Sequence, residues 1–269
     1  MPKHTGKEKT QVIAMKESLA EAVRIMLDTI SFKAPEGIPA GFPELDDLTR
    51  GMHRGSLTLL ASRPSLGKTS FALNIVGNLM RRKPEIPVLY CSGLSHTELV
   101  FRLLTILSGV TFGHDRSYRA DEIARLTGCA AEQQDYPLFF EECGTSPEEI
   151  ADLCSEKQIG FLIFDPARRK SLAALRRLAQ KLDIPVLALV SLKRDKSTAA
   201  ITEAADTVIR LVRGRNGTDA DQGTPASLTV VRNRFGLCGT CRLRFVPRTM
   251  RFEDESDMED NENNREKTR

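Results

Sequence analysis

From Gln11 to Ile30 the apolar residues Val12, Met15, Leu19, Val23, Met26 and Ile30 recur at steps of three and four. The spacing predicts one amphipathic helix with a single apolar stripe. A stretch rich in proline and glycine, Pro35 to Pro43, separates it from the rest of the chain, so the stripe needs a surface other than the main core to cover it. Beyond Ser56 short β-rich runs alternate with helical periods. Strands are expected at 56–61, 87–92, 161–165 and 185–192, and helices at 68–80, 96–107 and 171–182, the last turning Leu172, Leu175, Leu178 and Leu182 inward. Such alternation implies βαβ units, hence an α/β fold with a mostly parallel sheet covered by helices on both faces. Three later runs, 207–212, 227–234 and 240–246, have no long helix between them and predict antiparallel hairpins at the sheet edge. This divides the chain into a tail and helix over 1–34, a core over 35–252 and an acidic, disordered tail over 253–269.

Composition narrows the class. With 269 residues, 41% of them hydrophobic, the chain can bury a sizeable core, which excludes a wholly disordered or fibrous protein. No apolar run approaches the ~18 residues of a membrane span, and the start of the chain lacks a signal peptide's apolar segment. A soluble, cytoplasmic protein with no membrane partner is expected. Six cysteines without a framework spacing read as reduced thiols. The net charge of +3 hides an asymmetry: residues 253–269 hold eight of the 36 acids and three of the 39 bases, leaving 36 bases against 28 acids, or +8, before them. That surplus is compatible with a nucleic-acid partner and equally with an ordinary solvated surface.

The strongest chemical signal is Ser62-Arg63-Pro64-Ser65-Leu66-Gly67-Lys68-Thr69, followed by Ser70, between an expected strand and an expected helix. It ends as a phosphate-binding P-loop ends, although Ser62 stands where that pattern has its first glycine. Gly67 lets backbone N–H groups close around phosphates, Lys68 reaches their outer oxygens, and Thr69 offers a hydroxyl to Mg²⁺ at the positive end of the helix. Asp165, closing the run Phe161-Leu162-Ile163-Phe164, is placed to hold the metal's water shell.

Three stretches, Gly37 to Asp46, Gly51 to Leu57 and Ala61 to Asn74, closely resemble the RecA-like C-terminal domain of DnaB-type replicative DNA helicases. The resemblance returns at Ile201 to Val208, Arg232 to Gly236 and Thr249 to Glu253. It implies a RecA-like P-loop core that binds ATP with Mg²⁺ and a helix over 11–30 that docks on an adjacent subunit. The implied assembly is a homo-oligomer, six subunits around single-stranded DNA in that family, or a ring shared with a homologous helicase. It further implies Lys68 and Thr69 as phosphate and Mg²⁺ contacts, Asp165 as the acid at the metal, and Arg232 with Arg234 reaching the γ-phosphate in a neighbour, Arg234 as the arginine finger. For Arg232 and Arg234 a solvated strand end is the alternative.

Three departures bear on mechanism. The family's catalytic glutamate falls at Gly93, and Glu98 on the following helix is not evidently able to replace it. The glutamine that ends the family's later strand is Ser191 here. Between Arg194 and Ile201 only six residues remain where the family has a longer DNA-contacting loop. Arg168, Arg169 and Lys170, with Lys193, Arg194 and Lys196, remain candidates for electrostatic contact with DNA phosphates, with no aromatic residues among them for stacking on bases. The lone pair Cys238 and Cys241 and four scattered histidines indicate no metal site or general base. The expected function is thus that of an ATP-binding, helicase-like, ring-forming protein with reduced or no hydrolysis. The alternatives are an active ATP-dependent helicase or translocase and a non-catalytic partner of a true replicative helicase.

Overall fold

The computed structural model describes residues 37–113, 116–142, 145–192, 199–214 and 223–254, together with positions 15, 18, 19 and 23. Two compact units are distinguished, 1–36 and 37–269. In the first, Met15, Ser18, Leu19 and Val23 are helical, and Met15, Leu19 and Val23, spaced along one stripe, are exposed.

The second unit is built on one nine-stranded sheet in the order β3-β2-β4-β5-β1-β6-β7-β8-β9. After a short helix α1 (Pro43–Thr49), β1 (Leu57–Ser62) leads through the loop into α2 (Lys68–Arg82). Next come β2 (Val88–Ser92), α3 (His96–Ser108), α4 (Ala120–Gln133), β3 (Leu138–Glu142), α5 (Pro147–Glu156) and β4 (Phe161–Asp165). A 3₁₀ turn, Arg169–Ser171, precedes α6 (Leu172–Leu182), β5 (Val186–Ser191), the one-turn α7 (Ala199–Thr202) and β6 (Thr207–Arg213). The chain then runs β7 (Thr224–Asn233), β8 (Gly239–Val246) and β9 (Arg251–Asp254). The six strands from β3 to β6 pair in parallel and β7, β8 and β9 extend the sheet antiparallel.

Every residue of β1 is buried, as a central parallel strand demands. Its side chains alternate between two apolar layers. Leu60 faces the layer of Phe71, Ile75, Leu79, Leu99 and Leu103 from α2 and α3, while Leu57, Leu59 and Ala61 face that of Ile150, Cys154, Leu172, Leu175 and Leu178 from α5 and α6. Of the inward positions expected of 171–182, α6 buries Leu172, Leu175 and Leu178, with Ala179 buried beside them and Leu182 only partly covered.

Differences from the sequence-based expectations lie mainly at the margins. Residues 109–160 carried no expected element, yet they contain α4, β3 and α5. β3 is a short edge strand, only half-buried, whose alternation is cut by Glu141 and Glu142. α4 is largely exposed and buries only Glu122. At the other end Glu253 and Asp254 belong to β9 and pair with Arg244 and Leu243, so ordered strand continues two residues past the expected start of the tail. Residues 255–269 lie outside the described residues.

Candidate nucleotide site

The strand β1 ends at Ser62 and the chain turns back into α2 at Lys68, leaving Arg63 to Gly67 as a loop over the carboxyl end of the sheet. Two residues of that loop have positive φ, Ser65 at 63° and Gly67 at 98°. A Cβ on Gly67 would also lie 3.2 Å from the Phe252 ring, so glycine answers both a backbone and a packing demand. Beside the loop is a cleft of about 310 Å³ lined by Ser62 to Leu66 and by Leu192 and Arg210 to Arg213 at the ends of β5 and β6.

Lys68 is buried and turns its ammonium onto the loop, with Nζ 3.2 Å from Ser62 Oγ, 3.5 Å from Ser62 O and 3.4 Å from Arg63 O. These are long contacts to neutral oxygens. Burial pushes the Lys68 pKa down, against the pull of the Asp165 charge. An ammonium so placed gains from an anion arriving in the loop.

Thr69, at the first turn of α2, donates from Oγ1 to Asp165 Oδ2 at 2.6 Å. Asp165 ends β4 and is buried; its carbonyl accepts from the Gly93 amide at 3.0 Å, and its register partner is Ser92. A fully buried tyrosine, Tyr90, donates to the same Oδ2 at 3.1 Å. The hydroxyl and carboxylate assigned to Mg²⁺ from the sequence are therefore in contact, 96 residues apart in the chain. A hard oxygen pair at the mouth of a loop with a buried cation fits a magnesium–phosphate ligand.

Some contacts have no sequence signal. Arg213 at the end of β6 donates to Ser65 O at 3.2 Å and lies over the Phe245 ring at 4.4 Å. Asn74 of α2 donates to Ser70 O and Met250 O and accepts from the Phe252 amide, tying the loop's helix to β9.

Gly93 lies past the end of β2 and is exposed. Its φ is outside the left-handed region, and a Cβ there would meet only Pro166 Cδ at 3.7 Å, an ordinary contact. No tight turn imposes glycine at this position. Glu98 is ion-paired with Arg102 on α3. Ser191 ends β5 beside Ser62 and is exposed.

Arg232 and Arg234 lie at the opposite end of the sheet. Arg232 pairs with Val208 and Asn233 with Thr207, at the start of β6 and hence near the start of β1. The five residue steps of β1 separate this corner from the loop by roughly 17 Å. Arg234 is bonded there to Asp206, as is Arg176. Of the other cations, Arg168, Arg169 and Lys170 are exposed on the turn after β4, whereas Lys193, Arg194 and Lys196 lie outside the described residues. Among the described residues no group of His, Cys, Asp or Glu is arranged to hold a metal by itself, and no helix is long and apolar enough to cross a membrane. Cys241 is buried, its thiol pushed up to about 11 mainly by that burial.

The sequence profile of the DnaB-like helicase C-terminal domain matches residues 37–165, which carry the loop, Gly93 and Asp165. Over that stretch, just under half of the chain, the protein is similar to the DnaB-like helicase C-terminal domain. The chain is 28% identical over 291 residues to the replicative DNA helicase DnaB of Leifsonia xyli, covering 91% of this chain and 63% of that protein. It is 25% identical over 256 residues to DnaB of Geobacillus stearothermophilus, covering 80% and 56%. It thus spans a little over half the length of these relatives. The fold is shared with a solved ATPase domain, with TM-score 0.76, 20% identity and coverage of 91% of this chain and 99% of that one. It is shared as well with a DnaB-like replicative helicase whose structure was described with its interactions with primase, at TM-score 0.73 and 21% identity, covering 90% and 67%.

Proposed function

We propose that this DnaB-like domain binds Mg·ATP or Mg·ADP in the loop 62–69, assembles with copies of itself or with a homologous replicative helicase, and hydrolyses ATP slowly or not at all. The observation that carries the reading is the contact of Thr69 with Asp165 at the mouth of a loop holding the buried Lys68 ammonium. In this arrangement Lys68 and the loop amides hold the phosphates. Thr69 and Asp165 would hold the cation, which would supply charge neutralisation at the phosphates.

Arg234 cannot serve its own loop from the far end of β1, so a role for it at phosphate requires a neighbouring copy. Slow hydrolysis follows from Gly93: no carboxylate stands at that position to orient a water, and Glu98 is held by Arg102. The exposed stripe of Met15, Leu19 and Val23 supports association, and together with Gly93 it favours a second reading, a non-catalytic subunit or regulator of a replicative helicase. An electrostatic role in DNA binding falls to Arg168, Arg169 and Lys170.

Calorimetric titration of the wild-type chain and Lys68→Ala with Mg·ADP tests the site. Binding in the wild type that is lost in the variant is expected, and equal affinity in both would place nucleotide elsewhere. Steady-state ATPase with and without single-stranded DNA then separates a slow or inert subunit from a working helicase.

A further inference from the structure

Tyr90 lies in β2 with Ile163 of β4 as its register partner, two residues before Asp165. Its side chain is fully buried in the apolar layer beneath α2 and α3. Packing alone explains the ring but not the hydroxyl, since a buried hydroxyl costs free energy unless it is bonded. The bond it makes is to Asp165 Oδ2, the oxygen that also accepts Thr69 Oγ1. A carboxylate can only accept and both hydroxyls can only donate to it, so the direction of both bonds is fixed. Burial and the adjacent Asp165 charge also push the phenol pKa well up, keeping the proton on the donor.

The backbone of Asp165 is held separately, by sheet pairing and by the Gly93 amide on its carbonyl. What sheet pairing leaves free is rotation of the carboxyl group about its own side-chain bonds. Thr69 can offer a lone pair to a cation and donate to that carboxylate at once, and Tyr90, buried on β2, adds a second donor to the same oxygen. We propose that Tyr90 is a positioning residue for the divalent-cation half of the nucleotide site, its hydroxyl fixing the Asp165 carboxylate against Thr69. The inference rests on the nucleotide reading above.

The test is ADP affinity measured in Mg²⁺ and in chelator for the wild type, Tyr90→Phe, Asp165→Asn and the double variant. Groups that orient a metal-binding carboxylate typically affect metal affinity about 10–100-fold. Tyr90→Phe is therefore expected to leave Mg²⁺-free ADP binding unchanged and to cut its enhancement by Mg²⁺ by about tenfold. Adding Tyr90→Phe to Asp165→Asn should cause no further loss, because both act through one carboxylate. An undiminished Mg²⁺ enhancement in Tyr90→Phe, or an equal loss with and without Mg²⁺, overturns the proposal. Absence of ADP binding in the wild type itself would remove the nucleotide reading, and this inference with it.

A second measurement leaves Tyr90 in place. The chain has three tyrosines, so fluorotyrosine-labelled protein gives three ¹⁹F resonances, assigned with Tyr118→Phe and Tyr136→Phe. Adding Mg²⁺ to the ADP-loaded protein should move the Tyr90 resonance, and an unmoved resonance counts against the proposal even if Tyr90→Phe does not fold.

Discussion

Arg234 donates to Oδ1 of Asp206 at 3.2 Å across an interface between water and core, its own side chain 63% exposed and that of Asp206 only 4%. Arg176 donates to the same oxygen at 2.7 Å, and the amide of Leu57, first residue of β1, donates to Oδ2 at 3.1 Å. Asp206 is thus the fixed point of this corner and Arg234 its outward, solvated arm.

The two partners should differ sharply in their effect on stability. Asp206→Ala strands the half-buried Arg176 guanidinium and the buried Leu57 amide, with an expected loss of about 3 kcal/mol. Arg234→Ala removes one exposed arm and should cost under about 1 kcal/mol. Urea unfolding of both variants measures the contrast.

Gly93→Glu should fold with a melting temperature close to that of the wild type, since neither φ nor the neighbouring Pro166 opposes a side chain. A residue that orients the attacking water contributes on the order of 10²–10⁴ in rate. The variant should therefore raise ATPase by at least about tenfold, or ~1.4 kcal/mol of barrier, and adding Arg234→Ala should abolish the gain. A well-folded Gly93→Glu without any rise would remove Gly93 as the cause of slow hydrolysis.

Aspartate at Met15, Leu19 and Val23 should lower the oligomeric mass measured by light scattering, because the exposed stripe is apolar and lies on one helix. Deletion of residues 1–34 should do the same. An unchanged mass would mean that these residues do not carry the association.

Glu122 provides a pH-dependent contribution. Bonds from the Arg116 guanidinium and the Arg119 amide hold its carboxyl down at about 2, below the ordinary 4.5. The unfolded chain takes up this proton first, so the stabilisation is present above about pH 4.5 and is lost as pH falls towards 2. Melting curves of the wild type and Glu122→Gln should differ at about pH 7 and converge near about pH 2.

The part of the site that was legible in the sequence is the part made of neighbours in the chain. Ser62 to Ser70 declares its loop because backbone turn, lysine and hydroxyl must follow in fixed order, and the apolar runs on either side declare β1 and α2. Asp165 was legible because a lone acid closes an apolar strand. Arg213, Asn74 and Tyr90 were not, because each reaches the site across the sheet and looks in sequence like an ordinary strand or helix residue. β3 went unread because it is a short edge strand whose alternation is cut by Glu141 and Glu142.

If Arg234 serves a neighbour's phosphate as proposed, its separation from the loop along β1 would divide this chain into two functions that can be lost independently. A copy whose own pocket Gly93 left idle would then still carry a cationic arm for a neighbouring copy. In a mixed assembly such a subunit would act as an asymmetric spacer, silent on one side and competent on the other, and its dose would set how many consecutive interfaces can fire.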